Sequence, residues 1–501
     1  MTGFNVEYND IVTPIAHQAA VRPEHPAFVF GSQVLTYGKL IDQARRVATV
    51  LQVRGVQPGD RIGMLSPNRP EIFSIYLGMA MIGAAIVPIN TEYASEEVRF
   101  ILNHSQAGFL VCTDDAAELG QLAVASSSSS TQILDFDTLL ASADSAVAFD
   151  GAPCASGKDL VLLCYTSGTT SRPKGVAATH ANEIASGFAY RDMWAITPAD
   201  RVLVTLPLSF SYGFHAASFV SLISGATILL TSKFHPRLTL ETIESLKPTV
   251  FLGVPTMYAM MAEVARKPDR KYDLSTLRFA AASGAALNEQ VVQDCKTLLD
   301  LKVRPYYAMT EVRPIFSFDF RKTDAPPPGS VGQLISPTEV KIVDEAGQDV
   351  PPGESGELWV KGPSFSGAYY RDPERTAEAV NGEWFRTGDI VYRDTDGNYY
   401  IIGRNRDQII CGGAKIAPVE VEDAILTHPG VAAAAVVGIA DPVYGQIVKA
   451  VVVKADPSVK EADIIAHCEK YIADYKVPRV VVFMESLPVA PSGKVLKSAL
   501  I

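Results

Sequence analysis

Residues 165–175 read Y-T-S-G-T-T-S-R-P-K-G, a stretch dense in groups that can grip a phosphate. The hydroxyls of Thr166, Ser167, Thr169 and Thr170 are hydrogen-bond donors. Gly168 lets the backbone approach a ligand closely, and successive backbone N–H groups can form a concave anion site. Lys174 adds a compact positive charge. A Walker-type loop needs G-x-x-x-x-G-K and then Ser or Thr, whereas Lys174 is followed by Gly175. A short Gly/Ser/Thr run would read as a solvated turn. Eleven residues in this order, closing on Pro-Lys-Gly, point instead to a nucleotide triphosphate.

Three later segments carry compatible chemistry. In Tyr307-Ala308-Met309-Thr310-Glu311, Thr310 can donate to a phosphate. Glu311 can hold Mg²⁺, which favours carboxylate plus phosphate oxygens. In Thr387-Gly388-Asp389 the carboxylate can accept two hydrogen bonds from a ribose diol. The same triplet taken alone reads as a tight turn with an Asx bond. Lys494, in Pro491-Ser492-Gly493-Lys494, stands close to the C-terminus, where a lysine is ordinarily a solvated tail residue.

Composition bounds the reading. A chain of 501 residues can bury a large core and exceeds one small domain. It is 48% hydrophobic and 20% charged, as ordinary globular proteins are. A net charge of −11 gives no basic face for nucleic acid. The six cysteines form no C-x-x-C pair and no Cys/His cluster, so neither disulfides nor zinc are expected, which suits a reducing cytoplasm. No secretory leader is expected at the N-terminus. The longest apolar stretch, 76–89, is too short to span a membrane and contains Pro88.

The elements that must position these residues follow from apolar periodicity. Runs at 61–65, 109–112, 161–164, 202–206, 227–230, 250–254 and 278–282 read as strands. Segments 71–81, 240–246, 256–265 and 288–299 read as helices. This alternation predicts an α/β fold with parallel sheets covered by helices, whose ligands bind beyond the carboxyl ends of strands. The Ala/Ser-rich stretch 123–157 reads as a surface excursion. After Gly329 the texture turns β-rich, with short strands at 340–343, 356–361 and 399–402. A compact final unit offers a helix 418–426, strands 434–437 and 449–453, a helix 461–473 and a strand 480–483. We therefore expect a large N-terminal domain, 1–404, of helix-covered sheets plus a β-rich subdomain. A small mobile α+β domain, 405–501, follows.

Taken in order, 165–175, Ser283-Gly284-Ala285-Ala286-Leu287, 307–311, 387–389, Gly403-Arg404 and Lys494 resemble the motifs of the adenylate-forming superfamily. That superfamily comprises acyl- and aryl-CoA synthetases, carrier-protein adenylation domains and beetle luciferase. The resemblance covers nearly the whole chain. It implies a two-step reaction: a carboxylate attacks the α-phosphorus of ATP, and the thiol of coenzyme A then displaces AMP. It further implies that the 166–174 loop and Thr310 hold phosphates and that Glu311 holds Mg²⁺. Ser283, Gly284, Ala285 and Ala286 would line the adenine, with Tyr307 beside them. Asp389 would take the ribose and Arg404 the nucleotide. Lys494 would bridge the acid and the α-phosphate. Rotation about a hinge at Arg406 would then replace Lys494 by the Gly412-Gly413 loop on the thiol side.

Four positions depart from the family pattern: Ser171 and Ala308, each where relatives often have Gly; Phe210 at a usual His; and Arg313 where small or apolar residues are usual. Phe210, Tyr212, Gly213, Phe214, Tyr258, Tyr306, Tyr307 and Arg313 are candidates for the acid pocket. No Asp stands near Phe210 to bind an α-ammonium, so an aromatic or compact short- to medium-chain acid is expected. Arg313 either pairs a second polar group of the acid or is a structural ion-pair partner. A stand-alone enzyme loading a carrier protein and a non-catalytic nucleotide-binding scaffold are the competing readings. The partners expected are small molecules, with a homodimer left open.

Overall fold

The computed structural model describes residues 8–501, apart from 128–129, 154–155, 167–172, 267–269, 321–326, 405–408, 412–413, 442–443, 473 and 491–493. Two parallel sheets form the body. The first runs, in spatial order, Val303–Pro305, Phe279–Ala282, Val250–Gly253, Arg201–Val204, Thr227–Leu230, Pro26–Phe30 and Gln33–Thr36, with only the last pair antiparallel. The second runs Gln132–Asp135, Phe109–Cys112, Arg61–Leu65, Ala85–Ile89, Leu160–Thr166 and Lys174–Thr179, again closing on an antiparallel pair.

The main core lies between these sheets, and the helices Tyr37–Val53 and Glu71–Met81 fill it. From Ile72 to Met81 the second helix is buried at every residue, which is why its sequence is apolar all round. Gly78 permits the contact between the two helices. A Cβ there would stand 2.7 Å from the Ala44 carbonyl oxygen.

One carboxylate aligns the lower edges of three neighbouring strands. Asp200 Oδ1 accepts from Thr249 Oγ1 at 2.7 Å and from Arg278 Nε at 2.7 Å. Its Oδ2 accepts from Arg278 Nη2 at 3.0 Å and from the Thr197 N–H at 2.9 Å. These groups sit immediately before or at the starts of Arg201–Val204, Val250–Gly253 and Phe279–Ala282. Tying the starts fixes where the carboxyl ends emerge.

The stretch 123–157 is not a surface excursion. Gln132–Asp135 adds a parallel strand beside Phe109–Cys112, and the helix Phe136–Asp144 buries Phe136, Leu139, Leu140 and Ala143. Their i, i+3, i+4, i+7 spacing gives one apolar face, hidden within a serine-rich composition.

Beyond residue 315 the chain builds an antiparallel sheet that includes Ser330–Leu334, Tyr399–Arg404, Trp384–Arg393, Ser355–Lys361 and Glu339–Val343. The last unit packs the helices Pro418–Leu426 and Glu461–Tyr471 on a sheet built around Val431–Asp441 and Gly445–Lys454. Among the described residues no helix is long and apolar enough to cross a membrane.

Replacing Asp200 by Ala removes the shared acceptor of these strand starts. We expect a loss of about 1.5–3 kcal/mol, the scale of hydrogen bonds to a charged group. It would be read as a lower urea midpoint at unchanged slope. An unshifted midpoint would show that the strands keep their alignment without it.

Candidate functional site

The expected phosphate loop closes a β-hairpin. Leu160–Thr166 pairs antiparallel with Lys174–Thr179, and Thr166 stands opposite Lys174. The connection between them includes Ser167, Gly168, Thr169, Thr170 and Ser171, which lie outside the described residues. A helix, His180–Trp194, follows only after the second strand, so the loop is not of the strand–loop–helix type.

A distant tyrosine links this hairpin to the candidate metal carboxylate. Lys174 Nζ lies 4.7 Å from the centre of the Tyr369 ring, within cation–π range. The Tyr369 hydroxyl donates to Glu311 Oε1 at 2.9 Å. The backbone also ties the hairpin to this segment, since the Tyr370 N–H donates to the Gly175 carbonyl at 2.8 Å. Lys174, Tyr369 and buried Glu311 therefore form one corner.

The neighbouring wall comes from two strand ends. Ser283-Gly284-Ala285-Ala286 leaves Phe279–Ala282, and Tyr306-Tyr307 leaves the adjacent parallel strand Val303–Pro305. Gly284 adopts φ +90°, a backbone region open to glycine. Gly284, Ala285 and Ala286 are exposed, while Ser283 is buried. Tyr307 donates its hydroxyl to Asp389 Oδ2. Asp389 is itself the cross-strand neighbour of Arg404. Thus Tyr307, Asp389 and the backbone of Arg404 meet at one place.

Lys494 arrives from the C-terminal unit. A Cβ built on Gly284 would stand 3.8 Å from Lys494 Cε. Asn288 Nδ2 also donates to Asp423 Oδ1 at 2.8 Å, joining the two units close by. Gly412, Gly413 and Arg406 lie outside the described residues.

The acid-pocket candidates divide. Tyr212 is half-buried, and its hydroxyl faces the carbonyl oxygens of Gly253 at 3.2 Å and Ala281 at 3.3 Å. Its ring meets Tyr306 edge-on with centroids 5.7 Å apart, and Tyr306 in turn packs on Tyr190 and Trp194. Burial pushes the Tyr306 and Tyr212 phenols up, so both stay protonated. Phe210 is half-buried. Gly213 is required by close approach, because a Cβ there would lie 2.4 Å from the Pro207 carbonyl oxygen. Phe214 is buried in the main core against Phe73 and Tyr76. Tyr258 is also a core residue. It is fully buried among Leu240, Ile243 and Met261, with its hydroxyl on the carbonyls of Phe251 and Ala281.

Arg313 has an internal partner. It is buried, and its Nη2 pairs with Glu183 Oε1. Its Nη1 donates to the Thr310 carbonyl at 2.6 Å. The other oxygen of Glu183 accepts from His215 Nδ1 at 2.6 Å, and His215 Nε2 lies 2.8 Å from Ser186 Oγ. Burial lowers the His215 pKa, so the ring is neutral, donating to Glu183 and accepting from Ser186. This Ser–His–Glu order resembles a nucleophile triad. All three side chains are buried, however, so it is an internal hydrogen-bond chain. Burial alone would push Glu183 up, but Arg313 and His215 outweigh it and hold its carboxyl below the usual range. Neither Tyr369 nor the Glu183–His215 pair had a local sequence signal, since each acts through residues far along the chain.

A family model described as AMP-binding enzyme matches residues 15–370, and one described as AMP-binding enzyme C-terminal domain matches residues 420–494. A feruloyl-CoA synthase from an Amycolatopsis species is 35% identical, with 96% of each chain covered. Among solved structures, ATP-bound MatB from Rhodopseudomonas palustris superposes with a TM-score of 0.90 at 28% identity, covering 98% of each chain. A benzoate CoA ligase from Burkholderia xenovorans LB400 superposes at 0.89 and 26% identity, covering 98% of this chain and 100% of the other.

The depressed Glu183 pKa makes a signed prediction. A folded-state value below the unfolded one adds stability above the unfolded pKa, which is lost as pH falls through the folded value. Glu183→Gln leaves Arg313 buried without its counter-charge and is expected to cost about 3–5 kcal/mol at pH 7. The gap to the native protein should narrow below about pH 4, near the unfolded glutamate pKa. Urea midpoints measured at both pH values would decide it, and a pH-independent gap would show that the charge is not the cause.

Proposed function

The chain belongs to the AMP-binding, adenylate-forming enzyme family and is an acid–thiol ligase, and we propose that it joins an aromatic or compact carboxylic acid to coenzyme A through an acyl-adenylate. The observation that carries this reading is the convergence of Lys494 on Gly284, beside the Tyr307–Asp389 pair. A lysine from the C-terminal unit meets a groove built from strand ends.

In the first half-reaction a carboxylate oxygen attacks the α-phosphorus, and the bond from that phosphorus to the β-phosphate oxygen breaks. Two anions must meet, so fixed positive charge is needed where negative charge builds. We assign that task to Lys494, between acid and α-phosphate, and to Lys174 with the 166–170 hydroxyls and backbone, around the departing pyrophosphate. Asp389 receives the ribose diol, with Tyr307 orienting it. Arg404 supports the nucleotide, and Ser283 to Ala286 bed the adenine. Glu311 suits Mg²⁺, because one carboxylate with phosphate oxygens is the donor set that ion prefers. Bound there, Mg²⁺ would neutralise phosphate charge.

In the second half-reaction the thiol sulfur attacks the acyl carbon and AMP leaves with the carboxyl oxygen. Lys494 must withdraw, and we assign this to rotation of a C-terminal domain, 405–501, about Arg406, with Gly412-Gly413 facing the thiol. A cytoplasmic setting is part of this reading, supported by described cysteines that are buried free thiols.

The aromatic wall supports the choice of acid. Tyr212, Tyr190 and Trp194 each meet Tyr306 edge to face, a wall of aromatic rings that suits an aryl or compact acid. Arg313 is committed to Glu183, which supports its structural role over a contact with the acid.

Two experiments test this. In Lys494→Ala, acid-dependent pyrophosphate exchange should fall by about 10²-fold or more, as for loss of a group aimed at transition-state charge. Thioester formation from supplied acyl-adenylate should persist, and normal exchange would remove the assignment. A panel of benzoic, cinnamic, short-chain and long-chain acids, read as AMP release with and without CoA, should favour the aryl and compact members and require CoA for turnover. Preference for long chains would overturn the pocket reading, and turnover with a carrier protein instead of CoA would overturn the acceptor.

A further inference from the structure

A buried ion pair is a costly way to fill space. Both charges must be desolvated, and apolar residues of similar volume often do as well. Arg313 and Glu183 are both buried, so their contribution must be sought in geometry.

A guanidinium can serve two acceptors in fixed directions at once. One arm of Arg313 is anchored on Glu183, and the other donates to the Thr310 carbonyl at 2.6 Å. Glu183 lies on the helix His180–Trp194, which begins directly after the strand Lys174–Thr179. His215 holds the second oxygen of Glu183 at 2.6 Å, so the anchor itself has little freedom. The Thr310 carbonyl belongs to the planar peptide joining Thr310 to Glu311. Fixing that oxygen orients the plane, and with it the directions in which both side chains leave.

We propose that Arg313 is a positioning residue: anchored on Glu183, it sets the Thr310–Glu311 peptide against the Lys174 hairpin. This rests on the reading that Thr310, Glu311 and Lys174 serve the phosphates and Mg²⁺. The role differs from a contact with the acid and from simple core filling, and each alternative has its own signature.

The discriminating variant is Arg313→Lys. It keeps a positive charge against Glu183 but lacks the planar fork that reaches both acceptors. Acid-dependent pyrophosphate exchange should then show a kcat lower by about 10–10²-fold, the scale of a small misplacement of reacting groups. The Mg²⁺ concentration for half-maximal exchange should rise several-fold, while KM for the acid and the thermal midpoint stay near native. Should Arg313→Lys fail to fold, the paired replacement Arg313→Met with Glu183→Leu removes both charges without leaving one orphaned. It is expected to give the same loss in kcat and the same Mg²⁺ shift. Native kcat and Mg²⁺ requirement in a folded variant would overturn the proposal and leave the pair as core. A raised acid KM with native Mg²⁺ requirement would overturn it in favour of acid binding. Glu311→Gln serves as the separate check. If it leaves the Mg²⁺ requirement unchanged, the assignment of Glu311 fails, whatever Arg313 does.

Discussion

The phenol of Tyr369 stands between a cation and an anion. Its ring faces Lys174 and its hydroxyl holds Glu311. The first belongs to a hairpin on the edge of one parallel sheet, and the second follows a strand of the other. An aromatic ring with a polar tip meets both walls, its face toward the cation and its hydroxyl toward the carboxylate. Within the Tyr307–Ala308–Met309–Thr310–Glu311 segment, one end is held by this contact and the other by the Tyr307–Asp389 pair. Gly284 to Ala286 are exposed on the neighbouring strand end, where Lys494 arrives.

Much of the architecture was legible in the sequence. Continuous apolar runs marked the buried parallel strands, and the helix Glu71–Met81 was readable to its ends. The small C-terminal unit showed the same clarity, with Pro418–Leu426 opening on a proline at its first turn. The strands Pro26–Phe30 and Ala85–Ile89 and the helix Tyr37–Val53 went unread, as did whatever depends on partners far apart in the chain. Tyr369 is 58 residues from Glu311, and Arg313 is 130 residues from Glu183. No local pattern encodes such pairs. The serine-rich stretch before the hairpin misled for a different reason: composition concealed the spacing of Phe136, Leu139, Leu140 and Ala143.

The pocket candidates show the same division. Tyr258 and Tyr306 look alike as sequence, each an aromatic close after a strand. Tyr258 turns into the helix-covered face, where its hydroxyl caps two backbone carbonyls, while Tyr306 joins Tyr212 beneath the groove. Which face a side chain takes beyond the end of a strand is decided by the turn that follows, and periodicity stops there.

The close approach at Gly213 has a consequence for how such an enzyme diversifies. The turn from Pro207 to Gly213 is packed backbone against backbone, with no room even for a methyl group. Replacing Gly213 therefore demands a shift of the backbone at this wall. Exchange of side chains such as half-buried Tyr212, whose hydroxyl rests on the carbonyl oxygens of Gly253 and Ala281, leaves the main chain in place. A lineage can acquire a new acid by repainting the wall, without rebuilding the machinery that handles the nucleotide.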